Sequence, residues 1–448
     1  MVKSRVEESL GANPGDAAIN PADSVAMGVP SSRTRERLGL GAGAFRALGH
    51  RPFRLLFISF LINQTGFWIS HISLQGLMVE LSANDSRQNG WLFFVMFLPA
   101  FLFAPLAGVV ADRFDRKKIV LACYLLVSVC CAVLALATAA DWLTPNRLLG
   151  IAFGLGLSFA FSGPASSAIA ANAVTSVDLP SAVSLQSAAN NLTRVVGPLL
   201  AAPLVAASLF EWSFTIYLGA ALTAAALTAA MRIDRYTPEK EEGGIMARMA
   251  NGFAHARARR PAVPALITVA MLSFFGVSHM VLIPAFASDV LGSPKYFAWL
   301  AAATGLGAMV GALRVGRPGR TPSMWRAGRG MIAYGAALAV FSLSTHVAAA
   351  LSSQLVIGYF YFSVMTSLQT LIQQIVDESR RGRVMSLFQV AWGGLVPFGS
   401  LAMGFLGDSF GPPMTVLIGA VVCMGFGILI LLLFWSDEGA LRTVAAKI

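Results

Sequence analysis

Twelve apolar runs, each about long enough to cross a bilayer, leave this chain few folds to choose from. They fall near residues 53–80, 90–111, 118–139, 147–174, 182–207, 212–231, 263–288, 296–314, 329–345, 347–376, 384–407 and 412–435. At 1.5 Å per residue, roughly 20 residues cover a hydrocarbon core of about 30 Å. In lipid the backbone must pair its own polar groups, so runs of this length read as helices. With 56% hydrophobic and 12% charged residues, the chain holds about half the charge of a soluble domain and more apolar surface than one core could hide.

Weak internal repetition divides the runs into two sets. A shift of 202 residues superposes Ser184-Leu185 on Ser386-Leu387 and Gly197 on Gly399. A shift of 200 superposes Phe210 on Phe410 and Gly219-Ala220 on Gly419-Ala420, and a shift of 208 superposes Ser70-His71 and Leu74 on Ser278-His279 and Leu282. The sequence therefore predicts an all-α membrane protein of twelve transmembrane helices in two pseudo-symmetric six-helix bundles, at 45–231 and 262–435. Residues 232–261 form the central linker, 1–44 a disordered tail with no apolar signal region, and 436–448 a second tail.

The net charge of +11 would suggest nucleic acid in a soluble protein, so the location of the 33 Lys and Arg residues matters. Twenty-nine of them lie in 1–54, 112–118, 232–261, 314–329, 377–383 and the last tail, all on one side if the first tail is cytoplasmic. Only Arg87, Arg147 and Lys295 fall on the other side, and Arg194 lies inside a run. This asymmetry orients a twelve-span protein with both termini in the cytoplasm, in a cell membrane that is expected to be the bacterial cytoplasmic membrane. The basic runs then face anionic lipid, and nucleic acid is excluded as a partner.

Between the second and third runs stands Gly108-Val-Val-Ala-Asp112-Arg113-Phe-Asp-Arg116-Lys117-Lys118. Orientation alone would explain the basic residues, but not Asp112. The segment resembles the loop between helices 2 and 3 of the major facilitator superfamily of secondary transporters, whose signature is G-x-x-x-D-R-x-x-R-K/R. The resemblance implies that fold and makes Gly108, Asp112, Arg113, Arg116 and Lys117 a gating motif. It sets Asp112 against the start of span 11, near Gly382 and Arg383, as a latch. A second set of segments, Phe161-Ser-Gly-Pro164-Ala165, Leu179-Pro-Ser-Ala-Val-Ser-Leu185 and Asn191-Leu-Thr-Arg194-Val-Val-Gly197-Pro198, is similar to the transmembrane-secretion-effector branch. That branch includes enterobactin exporters and macrolide-efflux proteins, and it makes Pro164, Gly197 and Pro198 helix-packing positions. Its members often carry an Arg after the Pro-Ala pair and a Pro before the next loop, where this chain has Ser166, Ser167 and Ala171-Asn172. The resemblance covers roughly residues 50–435 and does not name a substrate.

Polar residues at helical spacing mark faces that should look inward. Gln64, Trp68, His71 and Gln75 share a face of span 1, Gln186, Asn190, Arg194 and Gly197 one of span 5, and Thr366, Gln369 and Gln373 one of span 10. Ser158, Ser162 and Ser166 repeat the pattern in span 4. Interhelical hydrogen bonds explain each Gln, Asn or Ser as well as substrate contact does. Together they predict a wet central cavity whose lining includes Gln64, Trp68, Gln75, Asn190, Arg194, Thr366, Gln369 and Gln373. The aromatic face Phe94, Phe97, Phe101 would suit an amphiphilic substrate or plain packing. Arg194 at mid-helix is costly, roughly 2.5 to 3.5 kcal/mol on insertion scales, so it needs neighbouring acceptors or an anionic substrate.

Proton-coupled relatives commonly carry an acid inside span 1 or 4, whereas here the acids nearest to spans 1 and 7, Glu80 and Asp289, sit at their outer ends. His71 and His279, in matching Ser-His pairs roughly 5 Å outward of their span midpoints, are the candidates for proton coupling. As a charged pair they would repel across the outer gate; as neutral rings they would close it sterically. No P-loop and no Cys/His cluster is present, and Cys123, Cys130, Cys131 and Cys423 fall inside spans, so neither cofactor nor metal nor enzyme chemistry is expected. Gly150-x-x-x-Gly154 and Gly307-x-x-x-Gly311 would serve packing within a monomer. The function expected is proton-driven efflux of small amphiphilic molecules by an antiporter. An uptake symporter and a non-transporting receptor or scaffold are the alternatives.

Overall fold

The computed structural model describes residues 45–175, 177–232, 256–257, 261–315, 322–376, 384–385 and 387–435. Both tails, most of the central linker and the loop 377–383 lie outside the described residues, as does the side chain of Asp112. All twelve runs are helical. Span 1 is Arg51–Leu81, span 2 is Ser86–Leu102 followed by Ala104–Arg113, span 3 is Arg116–Ala139, and span 4 is Pro145–Asn172. Spans 5 and 6 are Leu179–Ala206 and Phe210–Ala230. Span 7 runs from Ala262 to Asp289, spans 8 to 10 are Tyr296–Val315, Met324–Ser342 and Val347–Ile375, and spans 11 and 12 end with Val396–Phe410 and Pro412–Leu433. Among the described residues there is no strand.

Local chemistry sets the boundaries. Asp85 begins span 2 by accepting a hydrogen bond from the Arg87 amide at 2.8 Å, and Asp115 begins span 3 by accepting from the Lys117 amide at 2.9 Å. Thr144 and Ser323 do the same for spans 4 and 9. Gly411, at φ +80°, turns the chain into Pro412 at the start of span 12. Three spans depart from regular helix. Span 2 breaks at Phe103, since Pro105 has no N–H to give to the preceding turn. Span 7 passes through a π-segment, Leu272–Gly276, and a 3₁₀ segment, Val277–Leu282, and span 11 through a π-segment, Val390–Gly394.

The end of the bundle carrying the connections near residues 82–85, 140–144, 207–209, 290–295, 343–346 and 411 is called the short-turn end. The opposite end, with the loop at 114–115, is the basic-loop end. Spans 1 to 6 pack together through the pairs 1 with 6, 1 with 5, 3 with 6, 3 with 4 and 2 with 4. Spans 8 and 10, 9 and 12, and 9 and 10 pair in the second half, and the halves meet where span 2 crosses span 11 and span 5 crosses span 8. Glycines set the closest approaches: Cβ atoms built on Gly307 and Gly311 would overlap the Leu355 and Tyr359 carbonyls of span 10. These two glycines therefore pack within the chain. Gly154 also packs, against Cys130, but Gly150 meets nothing within 4 Å, so that pair is not a packing motif.

Candidate functional site

Gly197 lets span 5 lie directly on span 1, since a Cβ there would overlap that of Trp68. The approach brings two of the predicted polar faces together. Gln64 donates from Nε2 to Asn190 Oδ1 at 3.4 Å. One turn along, the Arg194 guanidinium carbon stands 5.6 Å from the Trp68 ring, 5.0 Å from Phe362 of span 10 and 5.5 Å from Trp392 of span 11. Trp392 is pinned by its indole N–H, which donates to Tyr361 Oη at 2.7 Å. Arg194 Nε is covered and has no hydrogen-bond acceptor. The cation is thus held by rings from both halves, at distances where each ring face attracts it.

Phe362, Tyr361 and Trp392 were not singled out from the sequence. Phe362 precedes Thr366 by one helical turn and so extends the face of Thr366, Gln369 and Gln373, a signal that was there to be used. Trp392 lies in the π-segment of span 11, where helical counting fails. Thr366 is half-buried, while Gln369 and Gln373 are exposed beyond the ring cluster toward the basic-loop end.

One predicted lining residue, and two faces read from helical spacing, go elsewhere. Gln75 is buried in the first half's core and donates to its own helix at His71 O, 3.4 Å away, so it lines no open cavity. Ser158 donates to the Cys123 carbonyl of span 3 at 2.9 Å, which makes the serine face of span 4 a helix-packing face. Phe94 and Phe101 both pack edge-on against Phe398 of span 11, at 5.5 and 5.3 Å, and Phe97 packs on Phe159. Packing therefore accounts for the aromatic face.

The two histidines are not equivalent. His71 is boxed by Phe67, Trp68, Phe93 and Phe97, with ring centroids 5.1 to 5.9 Å away, and its Nδ1 has no partner. His279 Nδ1 lies 2.7 Å from the Gly276 carbonyl, and its Nε2 lies 3.5 Å from Gln354 Oε1, which also accepts from Thr304 at 2.8 Å. Every one of these partners belongs to the histidine's own half. The contacts thus run inward, and do not set ring against ring across a gate.

At the short-turn end the halves are locked together. Asn84 donates to Asp289, and Arg87 Nε lies 3.4 Å from Asp408. A Cβ built on Gly404 would lie 2.9 Å from Gly90 Cα and 2.9 Å from the Ser86 carbonyl. At the basic-loop end the segment Ala104–Arg113 packs on spans 3 and 4 of its own half. There Gly108 meets nothing within 4 Å, Arg113 is exposed, and Arg116 Nε donates to the Ala111 carbonyl at 3.0 Å. Lys117 donates to the Ala229 and Met231 carbonyls at 2.8 and 2.6 Å, tying span 3 to the end of span 6. Pro164 is exposed and Pro198 buried. Before span 1, His50 and Arg46 approach Asp178 at 2.9 and 3.2 Å. The His50 hydrogen bond, helped by Thr175 and Arg46, holds the Asp178 carboxyl below the usual aspartate range.

Twelve packed spans, two halves and a mid-depth polar and aromatic cluster between them define a membrane transporter of the major facilitator fold. The chain belongs to the transmembrane secretion effector family, whose profile matches residues 42–442. It is 22% identical over 330 residues to macrolide efflux protein A of Streptococcus pyogenes, covering 70% of this chain and 79% of that one. Among solved structures it resembles a bacterial homologue of the human lysosomal transporter Spinster, with a TM-score of 0.68 at 16% identity, covering 87% of this chain and 98% of that one. It also resembles a POT family transporter in complex with a thioalcohol-conjugated peptide, with a TM-score of 0.69 at 11% identity over 86% and 96% of the two chains. At such identities the structures bear on the fold alone. The family is one of transporters rather than enzymes.

Proposed function

We propose that this transporter exports small amphiphilic molecules across the bacterial cytoplasmic membrane by alternating access, driven by the proton gradient. In this reading the basic-loop end is cytoplasmic, because the positive residues gather there. The observation that carries it is the Arg194 cluster, built from spans 1, 5, 10 and 11 and therefore from both halves. A ligand held there would bias how the halves sit against each other. Locking contacts at the short-turn end, with Ala104–Arg113 packed on its own half at the other, support an arrangement open to the cytoplasm. Gln64, Trp68, Asn190, Arg194, Thr366, Gln369 and Gln373 then contact substrate. The likeness to a macrolide efflux protein favours export over uptake.

For the coupling proton, His279 is favoured over His71. With Nδ1–H given to the Gly276 carbonyl, a neutral ring offers Nε2 as an acceptor and a charged ring offers it as a donor. The Gln354 amide can serve either by a half-turn, since its oxygen and nitrogen are interchangeable in position. His71 Nδ1 has no such partner and faces rings, which accept an N–H only weakly.

Counterflow in proteoliposomes, guided by a resistance screen in cells without their own efflux pumps, tests the reading. Proton-gradient-driven efflux is expected, lost in His279→Gln and kept in His71→Gln, with downhill exchange intact in both. Inward accumulation would instead show an uptake symporter, and no movement of any screened compound would leave a receptor or scaffold.

A further inference from the structure

We propose that the Arg194 site selects organic anions bearing a flat ring, the carboxylate or similar group bound by the guanidinium and the ring laid among Trp68, Trp392 and Phe362. The inference rests on the transport reading of the same cluster. A guanidinium carries five N–H donors in a planar fork. Here Nε is covered and without an acceptor. Asn190, one turn before it on the same face, has its oxygen directed to Gln64 instead. The acids of the described spans, Glu80, Asp112, Glu211, Asp289 and Asp408, all stand at or near helix ends, so none lies at the depth of Arg194. The three rings attract the cation through their faces but offer no lone pair to its N–H groups.

The site is therefore short of acceptors and of negative charge, and a ligand can supply both. A carboxylate matches the fork with two parallel N–H···O bonds, strengthened where water is scarce. The fixed Trp392 ring and the Trp68 ring add flat apolar walls, which favour an aromatic body over a compact inorganic anion. An organic cation would meet a like charge at the same point.

The test uses the full chain in lipid nanodiscs and three matched probes, 2-naphthoate, 2-naphthamide and 2-naphthylmethylammonium, with binding read by calorimetry. Naphthoate should bind about tenfold or more tighter than the amide, as expected for a charge-assisted pair, with the cation weakest. Arg194→Gln should bring naphthoate to within about twofold of the amide, with naphthoate losing the larger part of its affinity. Arg194→Lys, which keeps charge without the fork and guards against a folding failure in the first variant, should restore part of the preference. Trp392→Leu should weaken all three probes. Equal affinities, a preference for the cation, no binding of any probe, or an anion preference that survives Arg194→Gln would each overturn the proposal. Failure of the transport reading shows separately: a chain that pumps neutral or cationic compounds and ignores naphthoate remains a transporter without anion selectivity.

Discussion

Gly404→Ala should push the transporter away from the arrangement closed at the short-turn end. The added Cβ would sit 2.9 Å from Gly90 Cα, 2.9 Å from the Ser86 carbonyl and 3.2 Å from the Gly90 nitrogen, all backbone atoms of span 2. Carbon atoms pack at roughly 3.5 to 4.0 Å, so the two helices must part by somewhat under 1 Å. No side chain can swing aside to relieve the overlap. Overpacking of this kind typically costs about 1 to 3 kcal/mol. A state in which span 2 has left span 11 escapes the cost, so the closed-to-open ratio should fall by about 5- to 150-fold. Spin labels at Trp142 and Leu343, exposed near that end on opposite halves, would report the shift as a longer distance population. Gly425→Ala is the control, since Gly425 has nothing within 4 Å. A folded Gly404→Ala protein with the wild-type distance distribution would refute the reasoning.

Lys117→Ala removes the two bonds to the Ala229 and Met231 carbonyls and should lower stability by about 1 kcal/mol, seen as a lower melting midpoint, whereas Lys118→Ala, on an exposed side chain, should not. Gly197→Ala should force span 1 off span 5 and break the Gln64 to Asn190 bond, abolishing transport while the protein still reaches the membrane. Asp178 has a carboxyl held below its usual value, so its hold on His50 and Arg46 should be complete above the ordinary aspartate pKa of about 3.9 and be lost as pH falls below that. Hydrogen-exchange protection of residues 46–50, taken relative to the intrinsic rate at each pH, should hold at pH 4.5 and fall below the usual aspartate range, and Asp178→Asn should lower it already at pH 7.

The fold was legible because lipid is an unforgiving solvent. A segment that must pair its own backbone and hide from hydrocarbon announces itself by length and composition, and predicted spans such as 147–174 and 412–435 lie within a few residues of Pro145–Asn172 and Pro412–Leu433. Among the described residues, eight helices meet that description by themselves. The break at Phe103 divides span 2 into pieces of 17 and 10 residues, and span 5 is diluted by Gln186, Asn190, Asn191 and Arg194. Helical periodicity found the face of Arg194 but could not say which faces meet. That is why Gln75 was placed on a cavity it does not line, why the serine face of span 4 turned to span 3 at Ser158, and why Trp392, in a π-segment, was missed. Matching Ser-His pairs promised symmetry, yet His71 met phenyl rings and His279 met Gln354 because the cross-helix neighbours differ between halves.

That asymmetry bears on how the molecule could change state. The first half holds continuous spans 1 and 5 and, among the described residues, the one mid-span cation; the second holds the irregular spans 7 and 11, the ring that is pinned over the cation, and the histidine whose Nε2 faces Gln354. The closed end is not uniformly favourable. Asn89 and Ser400, beside the Gly90 and Gly404 crossing, are fully buried, and their side chains have no protein partner. Each such group costs about 1 to 3 kcal/mol, which works against the exposed Asn84 and Arg87 contacts and the glycine packing at the same end. Opening would hydrate Asn89 and Ser400 while breaking those contacts. In the proposed alternating-access cycle, a ligand or proton shifts such a balance only by its differential affinity for the two arrangements.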